Sequence, residues 1–259
     1  MILQRSILSG FSNSLDIVIP VLNEEKALEN SIHTLVSFCQ HNIEHYDWFI
    51  TVADNGSTDQ TLQIAEMLSE QYSRVRFIRL EERGRGRALK MAWSQSEAAI
   101  LAYMDVDLST DLNCFPKFLE SVSGLKFQIA IGSRLISGSK VVGRSFKREF
   151  ISRCYSLLFR MMFFVSFKDA QCGFKVISRK VAQEVVPLIK NSGLFFDTEL
   201  LILAEKNGYP VLEIPVKWVD DPDSRVNIMK TAFEDLKGLL RLRFRDLADS
   251  RKLLKYNKL

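Results

Sequence analysis

The chain has 259 residues, a formal net charge of +4, and 47% hydrophobic against 25% charged residues. That balance excludes a disordered or fibrous chain and suits one large folded domain with a real core. No window approaches the ~18 uninterrupted apolar residues of a membrane span, since the longest candidate, "CYSLLFRMMFFVSF", is interrupted by Arg160.

Residues 1–14, "MILQRSILSGFSNS", lack the apolar core of a signal peptide and read as an N-terminal extension. A domain over 15–245 then opens with "LDIVIPVLNEE": a strand, a polar turn and a helix from about Glu25 to Cys39. "WFITVADNGSTDQTLQIAEMLSE" repeats the scheme, with Ser57 and Gln60 at capping-box spacing for its helix. "RVRFIRL" is a third strand, "GRGRALKMAWSQS" a glycine-rich turn and helix, and "AAILAYMDVD" a fourth strand. Nearly continuous apolar strands alternating with helices imply a mostly parallel, Rossmann-like α/β sheet covered on both faces.

"FQIAIGSR" is a fifth strand, and a Gly/Ser/Lys/Arg loop from Leu135 to Lys147 leads into a long helix bearing Arg148, Arg153 and Arg160. Then come "DAQCGFKVIS", an amphipathic helix from about Arg179, a helix in "GLFFDTELLILAEKNGY" ended by Gly208, the strand "PVLEIPVKWV", and a last helix from about Ile228 to Arg245. No linker sets this half apart, so it is expected to extend the same sheet as a single domain. Residues 246–259 read as a basic tail, and Arg241 to Lys258 as a solvated helix. Cysteines without CxxC spacing point to reduced thiols and a cytoplasmic location.

Ligands of open α/β sheets bind beyond the carboxyl ends of the strands. Those ends carry Asn23-Glu24, Asp54-Asn55, Gly84 to Gly86 and Asp105-Val106-Asp107. In extended chain Asp105 and Asp107 face one side, and like charges that close raise each other's pKa unless a cation sits between them. Mg²⁺ or Mn²⁺, shared between these carboxylates and a substrate diphosphate, meets that need; an exposed turn, or Asp107 capping the next helix, is the alternative. Asp54 suits either an Asx turn with Gly56 or a hydrogen bond to a base or ribose. "ERGRGRA" lacks P-loop and GxGxxG spacing, which leaves a turn open to a nucleotide or a plain loop.

The basic residues gather in the second half, which points to an anionic partner there; no nucleic acid is expected. "GRSFKREFISRCYSLLFRMMFFVSF" combines Arg144, Lys147, Arg148 and Arg153 with Phe, Leu and Met. It reads either as an interfacial helix held to anionic lipid by salt-sensitive attraction, or as a core helix with snorkelling arginines.

Seven motifs stand in the order seen in family 2 glycosyltransferases: Pro20-Val21-Leu22-Asn23-Glu24, Asp54 to Asp59, Gly84-Arg85-Gly86, Asp105-Val106-Asp107, Gly132-Ser133-Arg134, Asp169 to Lys175, and Phe196-Asp197-Thr198-Glu199. Over residues 15–245 the chain resembles this family, and within it the dolichyl-phosphate β-glucosyltransferases and their bacterial polyprenyl-phosphate relatives. The resemblance implies a GT-A fold and inverting transfer of a hexose, glucose from UDP-glucose being the first expectation, to a polyprenyl or dolichyl phosphate. It implies a peripheral protein on the cytoplasmic face of the membrane. By position, Pro20, Asn23, Glu24, Asp54, Gly84, Gly86 and Asp105 would bind the nucleotide, and Asp105 and Asp107 the metal. Asp169, Asp107, Arg134 and Gln171 would be catalytic, with Asp169 and Gln171 beside sugar and acceptor. Arg134, Arg144, Lys147 and Arg148 would meet the acceptor phosphate. Asn55 stands where many relatives have a second Asp, which bears on how the base is gripped.

On the residues alone, Asp169 also suits a turn cap before "CGFKVIS". GDP-mannose as donor, a nucleotidyltransferase, and a non-catalytic sugar-nucleotide-binding membrane protein are the competing readings.

Overall fold

The computed structural model describes residues 13–124, 126–220 and 228–247, with the backbone alone for 228–230. Most of the N-terminal extension and of the basic tail lies outside these residues.

The first half follows the expected alternation. Strands β1 (Ser14–Val21), β2 (Asp47–Asp54), β3 (Val75–Arg79) and β4 (Ile100–Met104) are joined by helices α1 (Leu28–Asn42), α2 (Thr61–Gln71) and α3 (Arg85–Gln95). Helix α4 (Phe115–Ser123) leads to β5 (Ile129–Ser133), and the second half adds β6 (Lys140–Val142), α5 (Phe146–Phe163), β7 (Phe174–Ser178), α6 (Arg179–Glu184) and α7 (Phe196–Lys206). Strands β8 (Val211–Pro215) and β9 (Lys217–Val219) precede α8 (Ile228–Arg241), which runs on as a π-helical turn through Asp246. The strand expected in "PVLEIPVKWV" is thus two, because β9 leaves the main sheet to pair with β6.

Sheet order is β3-β2-β1-β4-β7-β5-β8, one seven-stranded sheet. Alternate residues of β4 reach opposite faces, as period-two geometry requires. Ile100, Ala102 and Met104 enter one apolar core with α1, α2 and α4, while Leu101 and Tyr103 enter the other with α3, α5, α7 and α8.

One strand departs from the parallel pattern. β7 is antiparallel to both neighbours, β4 and β5, with Met104 opposite Phe174 and Ile100 opposite Ser178. The chain leaves the sheet after β5, makes the long α5 excursion, and re-enters from the carboxyl edge. That reversal carries residues 169–173 onto the end of β4.

The helix starts also differ from the capping expectation. α2 begins at Thr61 with Gln60 at its N-cap and no capping side chain there, while Asp59 Oδ1 accepts from Thr61 N at 3.0 Å. Ser57 faces back across the turn instead, its Oγ accepting from Asn23 N at 2.9 Å.

Candidate active site

At the ends of β1 and β2 the two turns are hydrogen-bonded to each other. Asn23 holds a left-handed conformation, φ 57°, and its Oδ1 accepts from Thr58 N at 2.8 Å; Glu24 N donates to Thr61 Oγ1 at 2.8 Å. Pro20 stands in the penultimate register of β1, beside Ala53. Asp54 is fully buried: Oδ1 accepts from Ser57 N at 3.1 Å, while Oδ2 has no hydrogen-bond partner. The side chain thus closes the turn to the N–H three residues on, one further than an Asx turn. The second oxygen is a buried acceptor able to take an N–H or O–H hydrogen bond.

Asn55 faces the scaffold. Its Nδ2 donates to Val21 O at 2.8 Å and its Oδ1 accepts from Gly84 N at 3.1 Å, tying the ends of β1 and β2 to the start of α3. An aspartate in this place keeps the second bond and loses the first. Gly84, at φ 149°, has no room for a side chain, since a Cβ would stand 2.5 Å from Ser192 O. At Gly86 a Cβ would stand 2.6 Å from that of Phe196. Both glycines let α3 close on the segment before α7.

Asp105 and Asp107 follow β4. Asp107 is exposed and Asp105 half-buried, with Asp107 Oδ1 accepting from Ser109 N at 2.9 Å. Arg85, from the glycine-rich turn, donates to Asp105 Oδ1 at 2.6 Å, lies over the Tyr103 ring at 5.1 Å, and reaches Asp197 at 3.7 Å. Asp197 in turn pairs with Lys175 Nζ at 2.9 Å and accepts from Tyr103 O–H. Burial raises the Asp105 carboxyl; Arg85 opposes this, and Asp107 and Asp197 add to it. Arg85 stays protonated against its burial chiefly because Asp105 faces it. Three carboxylates against two cations leave one excess negative charge. Among the described residues no group of three or more such ligands could hold a metal ion by itself; Asp105 and Asp107 offer the one or two carboxylates that a cation shared with a diphosphate takes from protein.

Backbone pairing joins this centre to the second half, with Asp105 N donating to Gly173 O at 3.0 Å. A Cβ on Gly173 would overlap Asp105 Oδ2. Gly173→Ala is therefore expected to leave the protein folded but displace the Asp105 carboxylate. Loss of the Arg85 contact with Asp105 in a structure of the variant is the check; an unmoved carboxylate would refute this.

Arg134 and Asp169 form a bidentate pair, Nε to Oδ2 at 2.8 Å and Nη2 to Oδ1 at 3.0 Å, with Arg134 N also donating to Oδ2 at 2.9 Å. Asp169 Oδ1 additionally accepts from Gln171 N at 3.2 Å, so the turn-cap reading holds beside the ion pair. Burial pushes the Asp169 carboxyl up, but Arg134 and its hydrogen bonds outweigh that and hold it below the ordinary carboxylate range. The guanidinium of Arg134 lies over the Trp218 ring at 4.8 Å.

Arg144 lies in the same electrostatic neighbourhood, its side chain only 8% exposed. Nη2 donates to Ser152 Oγ at 2.5 Å and Nη1 lies 3.5 Å from Glu149, yet Nε and Nη1 make no hydrogen bond. Burial lowers its pKa first, and the like charge of Arg134 lowers it further. Arg148 pairs with Asp220 at 3.1 Å, and Lys147 is exposed at the start of α5.

The expected residues thus fall into neighbouring sets: Asn23 and Glu24 with the β2 turn, Asp105 with Arg85, Arg134 with Asp169, Arg144 with Ser152 and Glu149, and Arg148 with Asp220, while Lys147 is exposed. Sequence reasoning assigns no role to Arg85, Tyr103, Lys175 or Asp197. A lysine inside "CGFKVIS" and an aspartate inside the wholly buried stretch Phe196 to Ala204 of α7 are the available signals, because charges rarely enter a core unpaired.

A family model described as Glycosyl transferase family 2 matches residues 16–186. Glycosyltransferase AglD of Haloferax volcanii is 31% identical over 83% of this chain, which spans only 35% of that relative's length. The dolichyl-phosphate beta-glucosyltransferase of Dictyostelium discoideum is 27% identical, over 90% of this chain and 75% of the relative, and that of Mus musculus 28%, over 96% and 80%. Among solved structures, glucosyl-3-phosphoglycerate synthase from Mycobacterium tuberculosis in complex with Mn²⁺, UDP-glucose and phosphoglyceric acid is alike in fold. The TM-score is 0.68 at 16% identity, over 92% of this chain and 81% of that one.

Proposed function

From the premise that this chain belongs to glycosyl transferase family 2 and has its GT-A fold, we propose that it transfers glucose from UDP-glucose to a polyprenyl or dolichyl phosphate, with inversion, at a membrane surface. The observation that carries this reading is the buried Arg144 guanidinium, with two N–H-bearing atoms left without hydrogen bonds beside Arg134. A buried, under-satisfied guanidinium next to a second one favours an anionic acceptor. The dolichyl-phosphate glucosyltransferase relatives support the same chemistry.

An acceptor phosphate oxygen would attack the anomeric carbon as the nucleoside diphosphate leaves from the opposite side. Asp54 Oδ2 would accept from the base or ribose, and Asp105 and Asp107 would hold Mg²⁺ or Mn²⁺. When bound, that cation neutralises charge on the leaving diphosphate. Arg134 and Arg144 would hold the acceptor phosphate. Its second pKa is near ~6, so it arrives largely as a dianion and needs little help in losing a proton. The test is a donor panel, UDP-glucose against GDP-mannose, with a short polyprenyl phosphate and anomeric analysis of the product. β-Glucosyl phosphate from UDP-glucose is expected. Preference for GDP-mannose would change the donor, pyrophosphate release would make the enzyme a nucleotidyltransferase, and no turnover would leave a binding protein.

Membrane contact would come from two helix faces. On α5 and at its end, Phe146, Phe150, Leu157, Met161 and Phe164 are exposed, Phe146 by 85% and Phe164 by 81%. On α8 and its π-turn, Phe233, Leu236, Leu240 and Phe244 are exposed, Phe244 by 79%. The opposite faces, with Phe159, Phe163, Leu239 and Leu242, enter the core, so the core-helix reading of α5 holds for that face and the exposed face is the one we assign to lipid. α8 carries more than a solvated surface.

The electrostatic expectation changes with this geometry. Arg144 turns inward, Arg148 pairs with Asp220 and Arg153 with Glu149 at 2.6 Å; Lys147, Arg243 and Arg245 stay exposed, and the larger apolar area of the two faces is taken as the main attraction. No described helix is long and apolar enough to cross a membrane. Vesicle binding should therefore survive ~1 M salt, where the Debye length is ~3 Å. It should fall roughly tenfold or more for each of Phe164→Ser and Phe244→Ser, which remove about 1.5–3 kcal/mol of apolar burial apiece. Complete release by salt would restore the electrostatic account.

A further inference from the structure

Gln171 has one side of its amide committed. Nε2 donates to Asp235 Oδ2 at 2.7 Å, and the backbone N holds Asp169 Oδ1 at 3.2 Å. Asp235 comes from α8, beyond the stretch matched by the family model, and is 3% exposed. Its other oxygen, Oδ1, is buried without a hydrogen-bond partner. Two further contacts lock α8 in place. A Cβ on Gly238 would stand 2.6 Å from the Phe195 ring, and Arg241 Nη2 donates to Glu199 Oε2 at 2.7 Å.

An amide whose N–H is held by a carboxylate cannot flip, so its carbonyl must point away from that carboxylate. We propose that Asp235 is a positioning residue that fixes the Gln171 amide with Oε1 turned toward the transferred sugar, where it accepts from a hydroxyl of the hexose, making α8 part of the active site. A buried site built to accept such a bond rejects a ligand that lacks the hydroxyl. Burial raises the Asp235 carboxyl to about 6, Gln171 opposing and Asp197 and Glu234 adding to the rise. A carboxylate held there against its own desolvation is more readily understood as serving geometry than as serving stability.

This inference rests on the proposed transferase reading, and the two fail separately when donor binding is measured without an acceptor. The probes are UDP-glucose and UDP, each with Mn²⁺, on the full chain, followed by kcat and KM with UDP-glucose and a short polyprenyl phosphate. Asp235→Ala should lose roughly 10-fold or more of the preference for UDP-glucose over UDP, while UDP affinity and the unfolding temperature remain near wild type. Asp235→Asn should come within a few-fold of wild type, because its Oδ1 accepts the same bond. Gln171→Glu should fail, placing carboxylate against carboxylate, and the double variant Gln171→Glu with Asp235→Asn should recover, since the new amide donates to the new carboxylate. The proposal is overturned if Asp235→Ala keeps the preference, if it loses UDP and UDP-glucose affinity in parallel, or if the double variant is no better than Gln171→Glu. A wild type that prefers UDP-glucose but transfers nothing to polyprenyl phosphate would overturn the acceptor reading and leave the role of Asp235 standing.

Discussion

Asp107→Asn is expected to lower turnover by at least about a hundredfold, the several kcal/mol that a divalent cation supplies at a leaving phosphate, with an unchanged unfolding temperature. The fold has little reason to respond. Asp107 is exposed, and the hydrogen bond it accepts from Ser109 N is one that an asparagine oxygen also accepts. Asp105 is differently placed, because Arg85 already engages Oδ1 and Gly173 crowds Oδ2. Asp107 therefore contributes the less encumbered carboxylate of the pair. Loss of its charge also removes the excess negative charge left by Asp105, Asp107 and Asp197 over Arg85 and Lys175. Steady-state kinetics across a Mn²⁺ titration, with EDTA as the blank, provide the check. Normal turnover in the variant, or indifference of the wild type to EDTA, would remove the metal from the mechanism.

Asp169→Asn is expected to damage both stability and rate, by separable routes. The carboxylate is buried against Arg134, and removing one partner of such a pair leaves an uncompensated charge, at a cost of roughly 3–5 kcal/mol. Because the folded carboxyl titrates below its ordinary range, its stabilisation is present above about pH 4 and is lost as pH falls through the lower folded value. Wild type should lose this component on acidification, and the variant should have none to lose. The rate defect has another origin, since a carboxylate already committed to two Arg134 nitrogens is poorly placed to take a proton. Its task is to aim Arg134 at the acceptor and to place negative charge near the sugar. The kcat defect should then persist at pH 8 and above, where the acceptor is fully dianionic. Recovery to wild-type rate with rising pH would make Asp169 a base, and normal kinetics with lowered stability would leave it a turn cap.

Much of the donor side is legible without coordinates. Asp54, Asp105 and Asp107 lie at strand ends, and strand ends are visible as the places where apolar runs stop. Arg134 also follows a strand, β5, but there the resemblance singles it out. Its partner is placed near it by resemblance alone, because 35 residues and a helix separate Arg134 from Asp169 in the chain. The role of Asn55 is not legible from its motif: the side chain ties β1 to the Gly84 turn.

The amino-acid sequence by itself determined the alternating half, its apolar strands and the acidic ends of β2 and β4, because period and local turn chemistry are properties of neighbouring residues. Only the tertiary structure decided the direction of β7, the Gly173 contact with Asp105, the Arg85–Asp197–Lys175 network and the reach of Asp235 to Gln171. Strand direction leaves no mark on an apolar run that is buried on both faces. A buried ion pair depends on which charges the packing brings within a few ångströms, and that separation is set by the whole sheet rather than by any stretch of the chain.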